Sequence, residues 1–146
     1  DPGLAPARAP GRIPPALLAH VARTVSRVLA SRADALEFAG RFLTEPKAHV
    51  WFTPPARPHS RARFAAAAAR RGLALDARAR LLYAGRRFFL NGEAVAVTAA
   101  CAGWLRKLAD SRNLVSTAGA PAAFLDLAHE WHARGFLHLG EAGSNP

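Results

Sequence analysis

The stretch RRFFLNGEAVAV, residues 86–97, decides the fold. Asn91-Gly92 is a dipeptide favoured in two-residue hairpin turns, because both central positions of such a turn need positive φ. On either side, FFL and EAVAV have strand composition, rich in aromatic and β-branched residues. With RLLYAG just upstream, residues 78–97 predict a β-hairpin with one more strand. The segment has two readings: the basic wing of a nucleic-acid-binding domain, carried by Arg86, Arg87, Asn91 and Gly92, or one wall of a small core. A pair of Arg residues at a strand start is more often a solvated edge that discourages further strand pairing. The expectation is Phe88 or Phe89 in the core and the Arg pair in solvent.

Upstream, PPALLAHVARTVSRVLA places Leu17, Leu18, Val21, Val25, Val28 and Leu29 on one helical stripe, with Pro14 and Pro15 where a helix start tolerates proline. A second helix is expected over ADALEFAGRFLT, where Leu36, Ala39, Phe42 and Leu43 recur at helical spacing before Glu45-Pro46 ends it. Two such helices bury too little to stand alone, so their stripe must pack on another surface, and a second copy of the chain is the preferred one. Leu17, Val21, Val25, Val28, Leu36 and Phe42 are the candidates for that dimer interface. KAHVWFTPP then reads as a docking strand or linker, and the domain boundary is expected there. Residues 1–53 form an N-terminal tail and helical hairpin, and residues 54–146 a second unit.

That unit begins with SRARFAAAAARRG, a helix capped by Ser60 and ended by Gly72. Thr98 can cap a helix through AACAGWLRKLAD, and PAAFLDLAHEWHARG predicts a last helix with Phe124, Leu125, Ala128 and Trp131 inward. FLHLG closes as a short strand. The fold class is therefore α+β and mostly helical, a helical hairpin for dimerisation followed by a winged-helix domain.

Composition bounds the function. With 146 residues, 51% of them hydrophobic, the chain is expected to fold. No apolar run approaches the ~18 residues of a membrane span and the first residues hold no signal peptide, so no membrane role and an intracellular setting are expected. The sequence contains no Met, so it is expected to be part of a longer product. The formal charge is +10, concentrated early: residues 1–58 hold eight cations and four anions, 59–97 eight and two, 98–146 four and four. Nearly all the cations are Arg among Ala, Gly and Pro, a pattern a GC-rich genome encodes regardless of function, so the charge alone assigns no nucleic acid.

The chemistry-bearing residues point the same way. A DNA-reading winged helix needs Arg, Lys, Asn or Gln on its recognition helix. The best candidate, residues 121–134, carries Asp126 and Glu130 against Arg134 alone, which argues against nucleic acid. His129 and His132, spaced i, i+3, lack a third ligand and the His-Glu-x-x-His pattern, so no metal site is assigned, and His132 is expected as a cation near a helix C-terminus. Cys101 is expected as a small buried hydrophobe. No phosphate loop, nucleophile elbow or carboxylate pair appears, and no catalytic or cofactor-binding residue is named.

Four stretches in order, FLTEPKAHVWF, RRFFLNGE, LRKLADSRNL and HEWHARGFLHLG, resemble the C-terminal portion of the bacterial cupin-like, JmjC-type ribosomal oxygenases, the group that includes a ribosomal-protein arginine hydroxylase. The resemblance runs from about Pro14 to Gly140. It implies a helical dimerisation region and a winged-helix domain that follow an N-terminal cupin barrel. It implies Fe(II)- and 2-oxoglutarate-dependent hydroxylation of a ribosomal protein by the parent dioxygenase, in the cytoplasm. The family holds iron with His-x-Asp/Glu and a distal His. This sequence has only the adjacent His129-Glu130, so the resemblance implies a non-catalytic segment with no iron or 2-oxoglutarate site of its own. The alternative is a stand-alone basic winged-helix module that binds nucleic acid.

Overall fold

The structure, a computed structural model, describes residues 11–25 and 31–140. Two helices come first, α1 (Pro15–Val25) and α2 (Arg32–Thr44), followed by α3 (Arg61–Arg71) and the strand β1 (Leu73–Leu75). Then come β2 (Leu81–Ala84), β3 (Arg87–Leu90) and β4 (Glu93–Val95). The described chain ends with α4 (Ala99–Ser111), β5 (Asn113–Leu114), α5 (Ala122–Ala133) and β6 (Leu137–Leu139). The strands form two antiparallel three-stranded sheets, β2-β3-β4 and β5-β1-β6.

Local chemistry accounts for most boundaries. Ser31 accepts the Asp34 N–H at 3.2 Å and Ser60 that of Arg63 at 3.4 Å, each satisfying an orphan donor in a first helical turn. Gly72, at φ +73°, ends α3. Asn91 and Gly92 sit at φ +49° and +87°, the turn that joins β3 to β4 with Leu90 opposite Glu93. Thr98 occupies the N-cap position of α4, but its hydroxyl meets the Cys101 sulfur at 3.1 Å and makes no capping bond. Cys101 is buried. The strands β1 and β5 have no counterpart in the sequence reading. They are three and two residues long, and they exist because β1 finds β6 on one side and β5 on the other.

The β2-β3-β4 sheet is an inner layer. Phe88 enters the main core, where Tyr83 stacks on it at 5.5 Å and Phe64, Leu105, Leu108, Phe124, Trp131 and Leu137 complete the packing between helices α3, α4 and α5. Phe89, the next residue, points the other way and is fully buried under α2. Both aromatic residues are therefore core residues, where the sequence pattern asked for one. Full burial of each stabilises by roughly 1.5–3 kcal/mol.

The segment before α1 adds to the outer edge of β2. Ile13 donates its N–H to the Tyr83 carbonyl and Tyr83 donates to that of Gly11, both at 2.9 Å. Asp110 of α4 fixes this corner by accepting the Gly11 N–H at 2.9 Å and the Tyr83 hydroxyl at 3.0 Å. Between α2 and α3 the extended chain lies against Phe136 and Arg78. Phe52 packs edge-on against Phe136 at 4.7 Å, and Arg78 donates to the Trp51 carbonyl at 2.6 Å.

Candidate functional site

Helix α2 divides its residues by size. Ala35, Ala39, Gly40 and Thr44 are buried, and this small-residue face lets the helix lie close on the sheet. Phe38 and Phe42 project outward, 45% and 64% exposed, with their rings stacked at 5.7 Å and only 10° from parallel. Leu17 of α1 is 37% exposed, while Val21 and Leu36 are half-buried. Val28 and the side chain of Val25 lie outside the described residues. Single exposed apolar residues are ordinary, but a stacked aromatic pair on a helix whose other face is already satisfied is a surface with unused hydrophobic energy. Phe38 was missed in the sequence. Its signal was the i, i+4 spacing to Phe42, although Phe38 itself lies outside the stripe of Leu36, Ala39, Phe42 and Leu43.

Three of the four wing candidates, Arg87, Asn91 and Gly92, are tied down. The Gly92 N–H is donated to the Thr44 hydroxyl at 2.9 Å, and the Gly92 carbonyl accepts from Arg41 at 3.3 Å. Asn91 and Arg80 exchange two bonds, at 3.1 and 2.9 Å. Arg87 reaches the Ala33 carbonyl at 3.4 Å and Glu37 at 3.7 Å. Arg86 is exposed. The hairpin tip thus packs against α2 and does not stand out into solvent.

Helix α5 offers little to a phosphate. Asp126 holds Arg61 at 2.6 Å, and Arg134, just past the helix, makes a two-pronged pair with Glu93 of β4 at 2.7 and 3.1 Å. Arg134 also lies 4.4 Å over the Phe136 ring.

The histidines are structural in their contacts, and the expectation of a cationic His132 needs correction. His132 is buried beside Phe64, its Nδ1 2.9 Å from the Leu137 carbonyl and its Nε2 3.4 Å from His59 Nδ1. Burial is the largest influence and pushes its pKa down, so the neutral ring is favoured despite the helix end nearby. The carbonyl requires Nδ1 to carry the proton, which leaves Nε2 an acceptor. His129 Nε2 lies 2.8 Å from the His59 carbonyl. His138 reaches Asp76 at 2.9 Å, and Asp76 is also gripped by Arg78 through both carboxylate oxygens at 2.9 Å. That Arg78 bond, the largest influence, holds the Asp76 carboxyl well below the usual range against the opposing effect of burial. Among the described residues no three His, Cys, Asp or Glu side chains are grouped to hold a metal, and these residues do not fit an iron site. No described helix is long and apolar enough to cross a membrane.

The ROXA-like winged-helix family matches residues 20–138. Among solved structures, the chain is similar to YcfD, a ribosomal oxygenase from Escherichia coli, at 18% identity and a TM-score of 0.65 over 97% of this chain. The same values hold for YcfD in complex with cobalt and 2-oxoglutarate. A further crystal structure of that oxygenase matches at 19% identity over 95% of this chain, with a TM-score of 0.65. The chain spans about 40% of the length of these proteins. No curated protein matches the chain.

Proposed function

Because the chain belongs to the ROXA-like winged-helix family, we propose that it is the non-catalytic dimerisation and scaffold segment of an Fe(II)- and 2-oxoglutarate-dependent ribosomal-protein hydroxylase. In this reading the cupin/JmjC barrel lies outside the present sequence and supplies the iron, the 2-oxoglutarate and the hydroxylation chemistry. The present residues hold two such barrels in a fixed relation through a homodimer. The reading assigns the protein to the cytoplasm, with a ribosomal protein as the substrate of its parent.

The observation that carries the proposal is the stacked Phe38–Phe42 pair, exposed on the outer side of a helix whose inner side is already filled by the sheet. An isologous contact would bury this aromatic surface against its own copy and use the energy now left in water. The test is the mass of the chain in solution, by light scattering across a concentration series into the tens of micromolar. A dimer that becomes a monomer in the Phe38→Asp/Phe42→Asp variant, with an unchanged circular dichroism spectrum, supports the reading. A wild-type monomer throughout, or a dimer indifferent to both substitutions, sinks the interface. The oxygenase part is tested separately, by reading the coding sequence in frame upstream of Asp1. Absence there of a strand-rich region with His-x-Asp/Glu and a later His overturns it.

A further inference from the structure

We propose that the outward face of α3 docks on the phosphate backbone of RNA. The placement of charge carries this, independently of the dimer. Between Glu45 and Asp76 the chain has no carboxylate and six cations, Lys47, Arg57, Arg61, Arg63, Arg70 and Arg71. Helix α3 buries Phe64, Ala67 and Ala68 and turns Arg63, Ala66 and Arg70 to solvent. Among the described residues only Arg61 of the helix has a carboxylate partner, Asp126 at 2.6 Å. Arg71 donates its Nε to the neutral Gly140 carbonyl at 2.8 Å and has no carboxylate partner among the described residues. The guanidinium groups of Arg63 and Arg70 have no hydrogen bond or ion pair among the described residues.

Local stability explains part of this pattern and leaves part of it over. Arg70 and Arg71 stand in the last turn, where cations complement the helix dipole. Arg63 stands in the first turn, where the dipole disfavours a cation and α3 provides no acidic residue. A cation kept there without compensation points to a partner outside the chain.

The shape of the face selects that partner. Arg63 and Arg70 are seven residues apart, about 10.5 Å along the helix axis, with only Ala66 raised between them. Alanine offers no aromatic anchor of the kind that gives a protein interface its energy, and it reaches no base edge. Cations along a smooth helix suit a contact that uses phosphates alone. Duplex RNA, whose deep narrow major groove keeps side chains from its bases, is bound mostly through its shape, its phosphates and its 2′-hydroxyls. Helix α5, the candidate for a DNA-reading helix in the sequence, carries Asp126 and Glu130 instead.

The test uses the full chain and a fluorescein-labelled RNA duplex of roughly 20 base pairs, longer than the ~16 that a duplex-RNA module spans. A DNA duplex of the same sequence and polyglutamate are run beside it, all between about 50 and 200 mM salt. We expect RNA affinity to fall with salt, and R63A/R70A to lower the slope of log K against log salt by about 1.8, that is ~0.9 per lost phosphate contact. R63K/R70K, which keeps both charges, should retain the slope, and R86A/R87A should leave it unchanged. RNA that fails to bind at the lowest salt, or a slope indifferent to R63A/R70A, overturns the site. Polyglutamate bound more tightly than RNA overturns the choice of partner, and the DNA duplex, which offers the same phosphates without the 2′-hydroxyl, should show the same loss of slope in R63A/R70A.

Discussion

Phe89 lies directly beneath Gly40: a Cβ built on that glycine would come within 2.3 Å of the aromatic ring. Helix α2 can rest on the sheet at this distance only because one side contributes a ring and the other contributes no side chain. Gly40→Val should therefore overpack a fully buried position and destabilise the fold by about 1–3 kcal/mol. Phe89→Leu in the same chain should restore part of the loss. Denaturant midpoints of the two single variants and the double variant measure the coupling, and strictly additive effects would contradict the contact.

Thr44 is the polar counterpart of that contact. It is fully buried, donates its hydroxyl to the Gly40 carbonyl at 2.8 Å and accepts the Gly92 N–H at 2.9 Å. Thr44→Val keeps the shape and strands the Gly92 donor, so a loss of about 1–3 kcal/mol is expected. Hydrogen exchange at the Gly92 amide should speed up in the variant more than at amides in α4.

The pH dependence should carry a signature of His132. Its folded-state pKa is depressed by burial, so the unfolded chain, with a histidine titrating near 6.5, binds the extra proton first as the pH falls. Its contribution to stability is fully present above about pH 6.5 and is lost below, until the folded imidazole itself protonates. His132→Asn removes that titration. The gap in stability between wild type and variant should narrow from pH 7.5 to pH 5.5, and a constant gap would show that His132 does not titrate in this range.

Arg134 should matter more than its ion pair. Both it and Glu93 are more than a third exposed, so the charge interaction is worth no more than about 1 kcal/mol after solvent screening. Arg134 also covers the Phe136 ring. Glu93→Gln is therefore expected to cost little, and Arg134→Ala more. Arg134→Lys should fall between them, because the ammonium reproduces neither the fork nor the stacking. Thermal melts of the three variants give the order.

What could be read in the sequence follows from how far each decision reaches. Asn91-Gly92 announces its turn because positive φ is a requirement of those two residues alone, and Ser60 and Gly72 bound α3 for similarly local reasons. The strands β1 and β5 were illegible because two or three residues carry no period, and their partners come from distant parts of the chain. On α2 the periodicity found a helix but not its orientation. The residues packed on the sheet are Ala, Gly and Thr, while the larger Phe38 and Phe42 face out, so the bulky stripe marks the free side of the helix and the side that meets the sheet carries no bulk to announce it. His132 was misread because its protonation depends on burial and on Leu137 and His59, none of which its neighbours in sequence reveal.

Phe88 and Phe89 leave β3 on opposite faces, and each face meets a closed apolar layer. Between the two phenylalanines hydrophobicity alone does not choose, since a shift by one residue would exchange them; only Leu90, traded for Arg87 on the core face, registers the error. A chain collapsing on burial alone therefore has little besides that one exchange to set its central ribbon in one of the two registers. The choice between them falls to the chirality of Asn91-Gly92, whose geometry admits one pairing, Leu90 with Glu93. An asparagine and a glycine, with no apolar side chain between them, thus act as the proofreading step for the most apolar residues of the stretch.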